Sequence, residues 1–167
     1  ITDGFNEHEF KNLKILLVDD NKDNLFISSQ YLEQWNVCYE TANSGKMAIA
    51  KCEDTDFDII LLDIHMPKMS GYETAKQIRQ LDLKRRPTLI AFSASYKNEL
   101  SKEMYNAGFD DHLSKPFKPN DLLEMLHQYE NAANENILNQ KNKKALAPKQ
   151  EFDENTPSFS LTTYIEM

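Results

Sequence analysis

The runs Ile15-Leu-Leu-Val18 and Ile59-Ile-Leu-Leu62 each carry four apolar residues without a polar interruption. A strand with one wet face alternates apolar and polar residues, so runs of this kind belong to strands covered on both faces, as in a parallel sheet between two helical layers. Five strand-length runs occur in all: Lys14 to Val18, Val37 to Ala42, Phe57 to Leu62, Pro87 to Phe92 and Phe109 to Leu113. Between and after them the apolar spacing changes to that of helices. The helical sets are Leu25, Ser28, Ser29, Leu32 and Trp35; Ala48, Ile49 and Cys52; Tyr72, Ala75, Ile78 and Leu81; Leu100, Met104 and Ala107; and Leu122, Leu123 and Leu126 within Asp121 to Tyr129. A β-α order repeated five times predicts a doubly wound α/β domain with five parallel strands in flavodoxin-like order. In such a sheet the functional site lies outside the carboxyl ends of the strands.

The chain of 167 residues suffices for one such domain plus a tail. Residues 1–12 read as a leader, 13–130 as the domain, and 131–167 as a linker rich in Asn, Gln, Lys and Glu, broken by Pro148 and Pro157. A start at Ile-Thr-Asp suggests a segment of a longer protein. Lys and Arg number 19 against 27 Asp and Glu, a formal charge of -8. Phosphate backbones and anionic lipids would be repelled, which disfavours nucleic acid or direct membrane contact. No stretch approaches the roughly 20 apolar residues of a membrane-spanning helix. Cys38 and Cys52 fit no metal or redox spacing and are expected to be buried free thiols in a reducing cytosol.

The strand ends carry Asp19 and Asp20, then Asp63, then Ser93, with Lys115 just past the fifth strand. Any one of them could be an ordinary loop or capping residue. Gathered on one sheet edge, three carboxylates would raise each other's pKa unless a cation held them, and Mg2+ with oxygen ligands suits that cluster. Ser93 can donate a hydroxyl hydrogen bond, Lys115 supplies a compact positive charge, and Asp63 offers a nucleophilic oxygen. Together they describe an aspartyl phosphate site.

Four segments carry a resemblance: Leu16-Leu-Val-Asp-Asp-Asn21, Leu62-Asp-Ile-His-Met-Pro-Lys-Met-Ser-Gly71, Phe92-Ser-Ala94 and Lys115-Pro-Phe117. In order and spacing, residues 13–130 resemble the receiver domain of two-component response regulators. The resemblance implies a flavodoxin-like (CheY-like) fold of five strands and five helices in three layers. It implies that Asp63 accepts a phosphoryl group from a phosphohistidine-bearing kinase or a histidine-phosphotransfer domain. Metal ligands would be Asp20, Asp63 and the backbone carbonyl of His65, with Asp19 acting through water; the ion would be Mg2+, with Mn2+ an alternative. Ser93 and Lys115 would contact the phosphoryl oxygens, Ser93 moving toward them on activation. The Lys115–Pro116 bond is expected to be cis, turning Lys115 back toward the site, and the surface of the fourth helix, fifth strand and fifth helix is expected to read out phosphorylation.

Two kinds of position depart from or vary within that pattern. His112 stands where Tyr or Phe is usual, so the switch pair would be Ser93 and His112, and its rotation could depend on pH; the plainer reading is a half-exposed imidazole with one ordinary hydrogen bond. His65 and Ser95 would flank the phosphoryl group. Pro67 and Gly71 are expected to shape the loop after Asp63, Gly71 by its conformational tolerance, and Met66 to pack. Phe159-Ser-Leu-Thr-Thr-Tyr-Ile-Glu-Met167 resembles the opening of a histidine-phosphotransfer domain, as would follow a receiver within a hybrid histidine kinase, the cytosolic part of a membrane-bound protein. A haloacid-dehalogenase-like phosphatase would need an acid where His65 stands. A dinucleotide-binding domain would need glycines in Asp19-Asp-Asn-Lys-Asp23. The alternative function is a constitutive binding module of the same fold, which would be expected to lack one of the five site residues.

Overall fold

The apolar runs lie side by side in one parallel sheet with the order β2-β1-β3-β4-β5. The computed structural model describes residues 10, 12–94 and 101–130. Its elements are β1 (Lys14–Val18), α1 (Lys22–Gln34), β2 (Cys38–Ala42), α2 (Gly45–Asp54), β3 (Ile59–Asp63), α3 (Gly71–Gln80), β4 (Thr88–Ser93), α4 (Lys102–Ala107) and β5 (Asp111–Ser114). Residues 119–130 form a further helix, α5. This is the expected flavodoxin-like α/β fold.

Side chains alternate across each strand, and the two faces fill two separate apolar cores. Leu16, Ile60, Leu62, Leu89 and Ala91 face Ala48, Cys52, Ala75, Ile78 and Met104 of α2, α3 and α4. Ile15, Leu17, Ile59, Leu61, Ile90 and Phe92 face Leu32 of α1 and Leu122 and Leu126 of α5. β3 runs through the middle with all five residues buried, which is why its sequence carries no polar alternation. Side-chain oxygens start the helices: Asn21 accepts from the N–H groups of Asp23 and Asn24, and Ser44, Ser70 and Ser101 accept from Met47, Glu73 and Met104.

The strand bounds differ from expectation where an apolar residue serves the core without joining the ladder. Phe57 and Phe109 are buried but precede their strands. Phe109 follows Gly108, whose φ of 106° ends α4 in the left-handed region; the Phe109 N–H returns to the Met104 carbonyl and the ring packs beneath. Pro87 cannot donate to the ladder, and β4 begins one residue later. The core also reaches into the segment expected as a leader: Phe10 is buried, its ring 4.8 Å from that of His127. Residues 1–9 and the tail 131–167 lie outside the described residues, as do Leu100 and Ser95.

The expectation of two buried thiols holds for one. Cys52 is buried in the core and burial pushes its thiol up to about 11, whereas Cys38 opens the edge strand β2 and is exposed. An edge strand lacks a neighbour on one side, so an apolar run there does not guarantee cover.

Candidate functional site

Adjacent parallel strands end at the same level, so the residues just past β1, β3 and β4 meet at one sheet edge. Asp19 follows β1, held by its N–H to the Ala42 carbonyl and by the Asn21 N–H donating to its Oδ1 at 2.9 Å. Asp63 is the last residue of β3 and Ser93 the last of β4. Asp19, Asp63 and Ser93 are buried, while Asp20 is exposed at the rim. Ligand oxygens of Asp19, Asp20 and Asp63 lie within 4.8 Å of one another.

Lys115 reaches into this cluster from beyond β5. Its N–H donates to the Ser93 carbonyl at 2.7 Å, fixing the backbone, and its ammonium lies 3.0 Å from Asp19 Oδ2 and 3.3 Å from Asp63 Oδ1. The peptide bond that follows, Lys115–Pro116, is cis as expected. The His65 N–H also donates to Asp63 Oδ1, at 3.3 Å. Burial pushes the Asp63 carboxyl above the usual carboxylate range; Lys115 pulls it back and the Asp19 charge adds to the rise. One ammonium thus serves two of three clustered carboxylates. Such a set of hard oxygens fits a divalent cation of the Mg2+ type, and all three acidic residues named from the sequence are present to hold it.

The loop after β3 brings α3 close. An added Cβ on Gly71 would lie 2.3 Å from the Asp63 carbonyl oxygen and 2.7 Å from Ile64 Cα. Gly71 stands inside α3 and is needed for this approach, not for the conformational tolerance expected of it. The left-handed residue of the loop is Lys68, at φ 68°. Met66 packs in the core as expected.

His112 differs from the plainer expectation. It is buried, not half exposed, and its Nε2 lies 2.8 Å from Ser93 Oγ. The two strand positions sit on the same face of β4 and β5, where Ala91 pairs with His112 and Ser93 with Ser114.

One surface beside the site was not singled out from sequence. A hollow of about 390 Å³ is lined by Asp19, Ile27, Tyr31, Phe92, Lys115 and Phe117, among others. At its outer wall Phe26 is 63% exposed and Ile27 49%. The signal was present: α1 buries Ser28, Ser29 and Leu32, so Phe26 and Ile27 are apolar residues off the buried stripe.

Known proteins share this arrangement. The profile of the response regulator receiver domain matches residues 15–127. The hybrid signal transduction histidine kinase C of Dictyostelium discoideum is 35% identical over 136 residues, 77% of this chain but 11% of that protein. The autoinducer 2 sensor kinase/phosphatase LuxQ of Vibrio vulnificus is 34% identical over 116 residues, 69% of this chain and 13% of its own length. This chain therefore spans only a small part of these relatives. Among solved structures, the receiver domain of a sensor histidine kinase from Pseudomonas aeruginosa PAO1, with a magnesium ion in its active-site cleft, is 29% identical with a TM-score of 0.65, over 71% of this chain and 98% of that one. On the site geometry and the matched span together, the chain belongs to the response regulator receiver domain family of two-component signalling.

Proposed function

We propose that Asp63 takes a phosphoryl group from a phosphohistidine and that the modified domain switches a protein-binding surface within a phosphorelay. The observation that carries this reading is the cluster of three carboxylates and one lysine on a single sheet edge. Asp19, Asp20 and Asp63, with the His65 backbone carbonyl, would hold Mg2+, or Mn2+ in its place. Bound there, the ion supplies charge neutralisation for the carboxylates and for the oxygens of an incoming phosphoryl group.

In the transfer, an Asp63 carboxylate oxygen forms a bond to phosphorus as the N–P bond of the phosphohistidine breaks, and the departing imidazole takes a proton from solvent. Lys115 stands within reach of the same carboxylate and balances charge on the phosphoryl oxygens. Ser93 donates its hydroxyl hydrogen to one of them. Hydrolysis later returns the carboxylate and releases phosphate, so the domain catalyses both halves of its own cycle. Readout falls on α4, β5 and α5, the face reached through the Ser93–His112 contact.

The partner is a phosphohistidine-bearing kinase or histidine-phosphotransfer domain, and exposed Phe26 and Ile27 beside the apolar hollow suit its docking. Residues 13–130 form the receiver, residues 1–12 a leader and residues 131–167 a linker leading to a histidine-phosphotransfer domain, all on the cytosolic side of a hybrid kinase. Neither nucleic acid nor lipid is required.

The test is transfer of radiolabelled phosphate from a phosphorylated histidine-phosphotransfer protein. Label should pass to this chain with Mg2+ and fail to pass to D63N. The double variant F26S/I27S should lose transfer from the protein donor while keeping uptake from acetyl phosphate. Equal labelling of D63N refutes the site, and unimpaired transfer to F26S/I27S refutes the docking face.

A further inference from the structure

Ser93 and His112 are both buried, with the serine hydroxyl 2.8 Å from the imidazole Nε2. A hydroxyl has one hydrogen to give, and Nε2 either carries a hydrogen or accepts one. When Ser93 donates to the ring, Nε2 is bare and a neutral imidazole keeps its hydrogen on Nδ1. When Ser93 instead donates to a phosphoryl oxygen, the same contact survives only if Nε2–H donates to Ser93 Oγ. The bond is then reversed in direction.

We propose that His112 is a positioning residue for Ser93, its Nε2 accepting the serine hydrogen before phosphorylation and donating a hydrogen to Oγ afterwards. This rests on the phosphoacceptor reading of Asp63. Between the two states a proton must move. Either the neutral ring exchanges its Nδ1 hydrogen for one on Nε2 through solvent, or the ring gains a proton from solvent and carries both. A Phe at this position could do neither, because it has no donor or acceptor to offer the serine.

The surrounding groups favour the second route. Beside His112 on β5 is Asp111, whose Oδ1 accepts the His112 backbone N–H and whose Oδ2 accepts the Tyr129 hydroxyl of α5. Asp121 and Glu124 of α5 share a groove of about 540 Å³ with His112. Glu103 of α4 is engaged with Tyr72 of α3, and the Lys115 ammonium is turned toward Asp19 and Asp63. β4 offers only Ala91 and Ser93 at this level. The described charged groups lining the groove around His112 are therefore acidic apart from Lys115. The sign follows. Donation by Ser93 opposes protonation of Nε2 in the free state, and its withdrawal lets the ring titrate at higher pH once Asp63 is loaded, so acidification favours the loaded state.

The experiment uses the full chain labelled with 15N-histidine, with H112F to assign the resonance. Spectra are recorded from pH about 5.5 to 8.5 with Mg2+, with and without beryllofluoride as the phosphoryl mimic. Without it, neutral His112 should show an acceptor shift at Nε2. With it, Nε2 should carry hydrogen and the imidazole midpoint should rise by about one pH unit, a roughly tenfold coupling. The phosphoryl lifetime of the native chain should lengthen on acidification across this window, and that of H112F should be flat. If acetyl phosphate loads Asp63 but His112 keeps one tautomer and one midpoint, or H112F keeps the native pH profile, the inference is overturned and the phosphoacceptor reading stands. If acetyl phosphate adds nothing to Asp63, both fall together.

Discussion

At the amino-terminal end of the sheet, Asp110 accepts from Arg79 at 2.8 Å, from Arg86 at 2.9 Å and from the Leu89 N–H at 2.9 Å. Asp58, at the same end, accepts from the Lys14 N–H at 2.8 Å and pairs with Arg85 at 3.1 Å. At the carboxyl-terminal end, Asp19, Asp20 and Asp63 have one ammonium near them, on Lys115. One end matches its acidic groups with guanidinium groups and backbone N–H donors and ties strands to helices. The other gathers charge beyond what it neutralises, which costs stability and creates an affinity for cations. The difference teaches that a carboxylate at a strand end is read by what answers it: paired ends hold the fold, and underpaired ends are reserved for a ligand.

The largest effect on stability should come from breaking the paired end. D110A leaves Arg79, which is mostly buried and also donates to the Gly108 and Pro87 carbonyls, without its carboxylate. A loss of about 3 kcal/mol in urea unfolding is expected, with acetyl phosphate uptake unchanged in the folded fraction. G71A joins the two kinds of effect. Its Cβ would press on the Asp63 carbonyl, costing about 1–3 kcal/mol and slowing phosphate uptake as well.

Breaking the underpaired end should have the opposite sign. Because the Asp63 carboxyl is held above its ordinary range, the native state binds its proton more tightly than the unfolded chain does. Metal-free protein should therefore lose stability as pH rises from the ordinary carboxylate range through the raised one. D63N should melt a few degrees higher than the native chain at neutral pH, and the gap should close on acidification or on addition of Mg2+. A gap independent of both would mean that Asp63 carries no excess charge. The smallest effect belongs to the exposed edge, where Lys14 and Lys51 flank Glu40 at 3.2 and 2.9 Å; K51A should change stability by less than about 1 kcal/mol.

Much of this was legible in the sequence because the fold uses continuous apolar runs. β1 and β3 are buried on both faces, and their uninterrupted Leu, Ile and Val residues say so. The site was legible for a related reason, since strand ends in a parallel sheet converge and Asp19, Asp63 and Ser93 stand at such ends. What escaped were properties set by neighbours distant in sequence. Cys38 is exposed because β2 is an edge strand, a fact of strand order. Gly71 matters because α3 passes over the Asp63 carbonyl, an approach no local pattern records. His112 is buried because the serine at the end of the neighbouring strand meets it. The amino-terminal clamp of Arg79, Arg86 and Asp110 was also invisible, as its members lie up to 31 residues apart.

The central claim is that the underpaired end is a phosphoryl acceptor, and intact mass after incubation with acetyl phosphate tests it most directly. With Mg2+ the native chain should gain one phosphoryl group; with a chelator, or as D63N, it should gain none. A native chain that stays unmodified with Mg2+, or a D63N chain that gains the same group, would contradict the account.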